Sequence, residues 1–255
     1  MSRRLNPSPV ILMGGGLSFW FQYKYMAKWL QEVTGRQCYI VKTLPFNWLK
    51  PFNVELGQKL KIIDATITNA LHRTSAQNVI LVGHSVGGVL GVIYLSNLLA
   101  PGDGLVAENH SKVAHLICLG SPFHSEKSHI PGLRNLSSMV NNAKLVECEP
   151  IVSKVTSIIG TSEIAKSEGT IRQRVNGLYY WLLSNQYETS GDGLVTMQNG
   201  VFSNHQAIYL ENVTHGLIRG GIWYGHDLKT ITRWWTAVVK EQYWPLTSDE
   251  LALID

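Results

Sequence analysis

Cysteine is scarce in this chain. Three occur among 255 residues, at Cys38, Cys118 and Cys148, an odd number without metal-ligand spacing. That excludes a disulfide framework and a thiolate metal cluster, leaving reduced structural thiols as the expectation. Charge is also thin, at 16% of residues, with 22 basic and 18 acidic side chains spread without a long run of either sign. Such a surface has no electrostatic footprint for nucleic acid, so no nucleic-acid partner is expected. No apolar run approaches the ~20 residues of a membrane span, and Met1 to Pro7 lacks a leader-like apolar core. The expectation is a soluble, cytoplasmic protein. What is abundant is apolar residue, 45% of the chain at a mean hydropathy near zero, enough to bury the core of one domain over residues 1–255.

The most informative stretch runs from Val79 to Leu95. Val79-Ile80-Leu81-Val82 is a short β-branched strand, Gly83-His84-Ser85-Val86-Gly87 a turn, and Gly88 to Leu95 an apolar helix. Strand, G-x-S-x-G turn and helix together make a nucleophile elbow. Glycines two residues either side of Ser85 leave room where strand and helix backbones crowd the serine. The helix that follows aims its free N–H groups at Ser85, so the Val86 N–H is a candidate donor to an oxyanion.

Other strand-like runs are Pro9–Met13, Cys38–Val41, Lys112–Leu119, Ser153–Gly160 and Gln206–Leu210, alternating with helical patterns through Tyr23–Leu30, Leu56–Leu71 and Ile231–Val238. This alternation predicts a mostly parallel sheet with helices on both faces. Gly14-Gly15-Gly16-Leu17 follows the first strand, which makes Gly16 or Leu17 the candidate second oxyanion donor. Phe46-Asn47-Trp48 reads equally as pocket rim or core. Residues 125–149 are polar with weak helical signals. Residues 163–190 interrupt the alternation, and their aromatic centre Leu178–Leu183 reads as a packed helix or as a cap over a site.

A nucleophilic serine needs a base, and the base needs an orienting carboxylate. Gly-Asp-Gly-Leu-Val occurs twice, at 102–106 and 191–195. Asp103 falls between the elbow helix and the next strand, on the sheet edge away from Ser85. Asp192 is free to lie on the edge that carries Ser85. Of nine histidines, His84 flanks the serine without reaching back to it, His115 lies inside a strand and His205 precedes the last strand. His215 follows that strand, on the loop Glu211–Gly216, and is the candidate base; His226 beside Asp227 is the alternative.

The blocks Gly83–Gly88, Leu119-Gly120-Ser121-Pro122, Gly191–Val195 and Val213-Thr214-His215 resemble lipase-like α/β hydrolases. The likeness is to the lecithin cholesterol acyltransferase and acylglycerol lipase branch, nearest to small cyanobacterial and plastid lipase-like proteins, and takes in Gln22-Tyr23, Pro45, Trp48 and Trp223-Tyr224-Gly225. It implies an α/β-hydrolase fold with Ser85 as nucleophile, Asp192 as acid and His215 as base. The chain departs from that pattern in having three glycines after the first strand and Phe123 before His124. The implied chemistry is hydrolysis of a carboxylic ester, of a small molecule or lipid, through an acyl-enzyme, with no metal or organic cofactor. Acyl transfer by the same residues and a non-catalytic binding role are the alternatives. Contact with a membrane surface stays open, since periodicity does not separate an amphipathic lid from core.

Overall fold

A computed structural model describes residues 6–46, 52–96, 108–145, 155–202, 207–216, 221–240 and 246–253. Strands β1 (Val10–Met13), β2 (Cys38–Ile40), β3 (Val79–His84), β4 (Val113–Leu119), β5 (Val155–Gly160) and β8 (Ala207–Leu210) form a six-stranded sheet in the order β2-β1-β3-β4-β5-β8. All five pairings are parallel. Continuous apolar sequence in the inner strands fits burial on both faces.

The period of two along each strand sorts its side chains into two cores. Ile11, Met13, Leu81, Leu116 and Cys118 face α2 (Phe52–Thr74), α3 (Val86–Ser96) and α4 (Pro131–Leu145). Val10, Leu12, Ile80, Val82, Ile117 and Leu119 face α1 (Lys24–Thr34) and α6 (Leu228–Lys240). Helix α3 is apolar all round and buried from Val86 to Leu95 because it packs between the sheet and α4.

The second strand ends at Ile40, one residue short of the predicted run, although Val41 N–H still bonds Leu12 C=O. The weak helical signal after residue 125 is a fifteen-residue helix, because Leu133, Leu136 and Val140 recur on one face against the core. Phe46 is core, packed with Val86 and Leu90; Trp48 lies outside the described residues, as do Asp103, Cys148 and His205. Within 163–190, the strands β6 (Glu163–Ile164) and β7 (Ser190–Gly191) pair antiparallel around α5 (Ile171–Ser184). Thr170 and Gln173 close a capping box at the start of α5, and Asn185 in left-handed conformation ends it. Asn176 and Tyr180 are buried, while Ile171, Val175, Leu178 and Tyr179 form an exposed outer stripe. The helix is thus packed on one side and apolar on the other.

Strand β2 is a sheet edge. Lys24, Lys42, Lys61 and Arg73 ring the open groove beside it, a concentration of like charge that discourages a second chain from pairing there. Among the described residues no helix is long and apolar enough to cross a membrane.

A buried ion pair ties the short α7 (Ser248–Leu251) to the turn after α1. Arg36 Nε and Nη2 donate to Glu250 Oε1 and Oε2 at 2.8 and 2.6 Å, both side chains fully buried. Trp235 Nε1 and Thr247 N–H complete the carboxylate's partners. Removing one member leaves a buried charge uncompensated, so Glu250→Ala is expected to lower unfolding free energy by about 3–5 kcal/mol. Urea unfolding checks this; a loss under about 1 kcal/mol, the range of an exposed pair, would contradict it.

Candidate active site

Ser85 sits between β3 and α3 with φ +56°, a left-handed conformation that costs a non-glycine residue about 1–3 kcal/mol. The strain is held by Ser85 N–H bonding Leu119 C=O at 2.9 Å and Gly88 N–H bonding Ser85 C=O at 3.1 Å. Crowding around the turn explains its glycines. A Cβ on Gly83 would strike the backbone of Gly88, and one on Gly87 would lie 2.5 Å from Met13 O. The side chain of Ser85 is partly exposed, at the N-terminal end of α3. Val86 is the first residue of that helix, so its N–H has no intrahelical partner.

The glycine loop after β1 crosses over the serine. A Cβ on Gly15 would lie 3.1 Å from Ser85 Cβ, and one on Gly16 would lie 3.2 Å from Val86 Cγ2. Gly15 N–H is already bonded to Tyr23 Oη at 2.8 Å. Gly16 C=O accepts from Phe46 N–H, which anchors the loop to the core. The Leu17 side chain points into solvent.

Asp192 is fully buried, and four donors surround its carboxylate. Leu194 and Val195 N–H bond Oδ1 at 3.0 and 2.8 Å; His215 Nδ1 and Tyr224 Oη bond Oδ2, each at 2.8 Å. Backbone fastens the same pair, with His215 N–H on Asp192 C=O at 2.8 Å. Burial pushes the Asp192 carboxyl up, but neighbouring His215 and these hydrogen bonds outweigh it and hold the group below its ordinary value. Tyr224 accepts from Gly160 N–H, and burial followed by the Asp192 charge pushes its phenol well up, so it donates as a neutral hydroxyl.

His215 stands in the loop after β8, and its ring lies against that of His84, centroids 4.9 Å apart. No direct hydrogen bond joins Ser85 Oγ to the His215 imidazole among the described residues; such contacts often tighten only around a substrate. The structure therefore joins Asp192 to His215 directly, and the ring against His215 is that of His84, the residue before Ser85. The alternative, His226, is exposed before α6, where Asp227 caps Thr230 N–H. His115 bonds Thr156 inside the sheet. Among the described residues no group of three or more His, Cys, Asp or Glu side chains is placed to hold a metal ion.

Sequence alone assigns no site role to Tyr23, which reads as part of a helical pattern and of the family likeness, or to Tyr224, which appears in the likeness. His84 was passed over as unable to reach the nucleophile, and its ring does point elsewhere. Nδ1 meets Tyr23 Oη and Nε2 meets His215 C=O, both at 2.8 Å. The signal for these links is three-dimensional only, since they span 61 and 131 residues.

Burial, then the adjacent His215, push the His84 imidazole down to about 3 from 6.5. Below pH 6.5 the unfolded chain binds a proton at this residue that the native state excludes, so stability falls as pH drops from 6.5 toward 3. Asp192, lowered on folding, adds a loss below its ordinary value of 3.8. Thermal melts between pH 8 and 4 are expected to be level above about 6.5 and to decline below it. In His84→Gln the slope from pH 6.5 to 4 should be shallower; an unchanged slope would assign the decline to other groups.

No protein-family model matches the sequence, and neither does any curated protein. Solved structures do. A Lactobacillus plantarum protein assigned as a cell surface hydrolase superposes with a TM-score of 0.50 at 11% identity, over 96% of this chain and 95% of that one. A Listeria innocua gene product matches at TM-score 0.48 and 15% identity, covering 94% and 96%. A Lactobacillus plantarum protein assigned as a carboxylesterase matches at 0.46 and 15%, covering 93% and 87%. At such identities the shared property is architecture. With its parallel order β2-β1-β3-β4-β5-β8, helices on both faces and a serine in a strained turn after β3, this chain has the α/β-hydrolase fold.

Proposed function

We propose that the protein is a serine hydrolase of carboxylic esters in which Ser85, His215 and Asp192 act together. The observation that carries this reading is the 2.8 Å bond between His215 Nδ1 and a fully buried, backbone-anchored Asp192, at the sheet edge where Ser85 protrudes. Asp192 keeps the Nδ1 proton in place, so Nε2 is the free base. Nε2 takes the Ser85 hydroxyl proton as Oγ bonds the ester carbonyl carbon. The carbonyl oxygen becomes an oxyanion held by Val86 N–H and a glycine-loop N–H. Because Gly15 N–H is committed to Tyr23 and Gly16 flanks Val86, Gly16 is the first choice for the second donor and Leu17 the next. The imidazolium then protonates the departing alkoxide, leaving an acyl-serine that water resolves by the reverse sequence.

The substrate is an ester with an apolar acyl chain, of a small molecule or lipid. Large apolar side chains are exposed on the segments that follow the C-terminal ends of the strands: Leu17, Phe19 and Phe21 after β1, Leu44 after β2, Leu178 and Trp181 beyond β5. Such a rim suits acyl chains and transient contact with a membrane surface. It also agrees with the sequence likeness to the lecithin cholesterol acyltransferase and acylglycerol lipase branch.

A fluorophosphonate probe tests the reading directly, because it reacts with an activated serine. The expected adduct is on Ser85, found by peptide mass spectrometry and prevented by prior incubation with a p-nitrophenyl acyl ester. Folded protein that hydrolyses the ester yet carries no label on Ser85 would overturn it.

A further inference from the structure

The mechanism above leaves unused two buried polar side chains beside the site. Tyr23 and His84 are 2% and 5% exposed, and Trp223 packs on both rings at steep angles. Their hydrogen bonds have a forced direction. The C=O of His215 can only accept, so His84 Nε2 carries the proton that bonds it. Burial keeps the ring neutral, which leaves Nδ1 as an acceptor and makes the Tyr23 hydroxyl its donor. The phenolic oxygen in turn accepts Gly15 N–H, with Ser18 Oγ at 3.2 Å. Three bonds therefore run in one sense, from Gly15 N–H through Tyr23 and His84 to the backbone of His215.

The two ends of this chain belong to different halves of the site. Gly15 lies over Ser85 and adjoins Gly16, the first choice for the second oxyanion donor. His215 carries the assigned base. We propose that Tyr23 and His84 are a positioning pair that holds the glycine loop and the His215 loop at a fixed separation across the nucleophile. The proposal rests on the serine hydrolase reading. Neither residue touches substrate; each acts through the backbone that it bonds.

A double-mutant cycle of Tyr23→Phe and His84→Leu, read in kcat and KM for a p-nitrophenyl acyl ester, tests it. Displacement of reacting groups by about 1 Å costs on the order of a hundredfold, so each single variant is expected to lose ~10- to 100-fold in kcat with KM within about threefold. The double variant should be no more than about threefold worse than the poorer single one, since breaking either link releases the same restraint. His84→Gln, which keeps a donor and an acceptor, should recover part of the loss, and His84→Phe, which keeps the ring but neither bond, carries the cycle if the leucine variant does not fold. Losses that multiply, kcat values within twofold of wild type, or a loss seen in KM alone would overturn the pairing. Fluorophosphonate labelling of wild-type Ser85 separates the two readings. A labelled serine with an additive cycle rejects the positioning pair and leaves the hydrolase standing, whereas an unlabelled serine in the ester-hydrolysing protein rejects both.

Discussion

Ser85→Ala is expected to reduce ester turnover by on the order of 10⁴- to 10⁶-fold while leaving the fold in place. The size follows from the role proposed for the hydroxyl: in that mechanism no acyl-serine forms without it, and only the oxyanion donors and bound-substrate orientation remain to assist water. The variant should fold because the turn at φ +56° is held by backbone bonds to Leu119 and Gly88, none of which uses the hydroxyl. Alanine is no worse than serine in that conformation. Purified wild type and variant, compared on a p-nitrophenyl acyl ester at matched thermal stability, give the answer. Equal rates would place the chemistry elsewhere.

Asp192→Asn should cost about 10⁴-fold in kcat, and the reason lies in how its carboxylate is held. Oδ1 faces two N–H donors, from Leu194 and Val195, so the asparagine carbonyl must take that position. The amide NH₂ is then turned toward His215 Nδ1 and Tyr224 Oη, where the carboxylate had accepted from both. Two donors cannot face each other, so Nδ1 gives up its proton and Nε2 acquires it. The imidazole in that tautomer has no lone pair to offer the serine. Steady-state kinetics, with the ¹⁵N shifts of His215 as an independent view of the tautomer, would show this. A loss of less than about tenfold would mean that Asp192 only secures the loop.

Local sequence was enough for the elements around Ser85, because a β-branched run, a glycine turn and an apolar helix each have a short-range physical cause. Strand alternation likewise carried the parallel sheet, and chain order singled out Asp192 and His215, which meet at 2.8 Å. The partners that fasten those residues were out of reach. Tyr224 approaches Asp192 across 32 positions, His84 approaches the His215 carbonyl across 131, and neither leaves a periodic or compositional trace. The outer stripe of α5 was ambiguous for a different reason. Apolar residues at helical spacing look alike whether they face a core or water, and α5 does both, burying Tyr180 while exposing Leu178 and Trp181.

The link between Arg36 and Glu250 also sets a timetable. The two residues are 214 positions apart, so at ~5–20 residues per second the ribosome needs about 10–40 s after making the guanidinium before it supplies the carboxylate. Throughout that interval the Arg36 guanidinium lacks its counter-charge and must stay in water or bind elsewhere. Fixing of the turn after α1 is thereby deferred until the segment around Glu250 has been made.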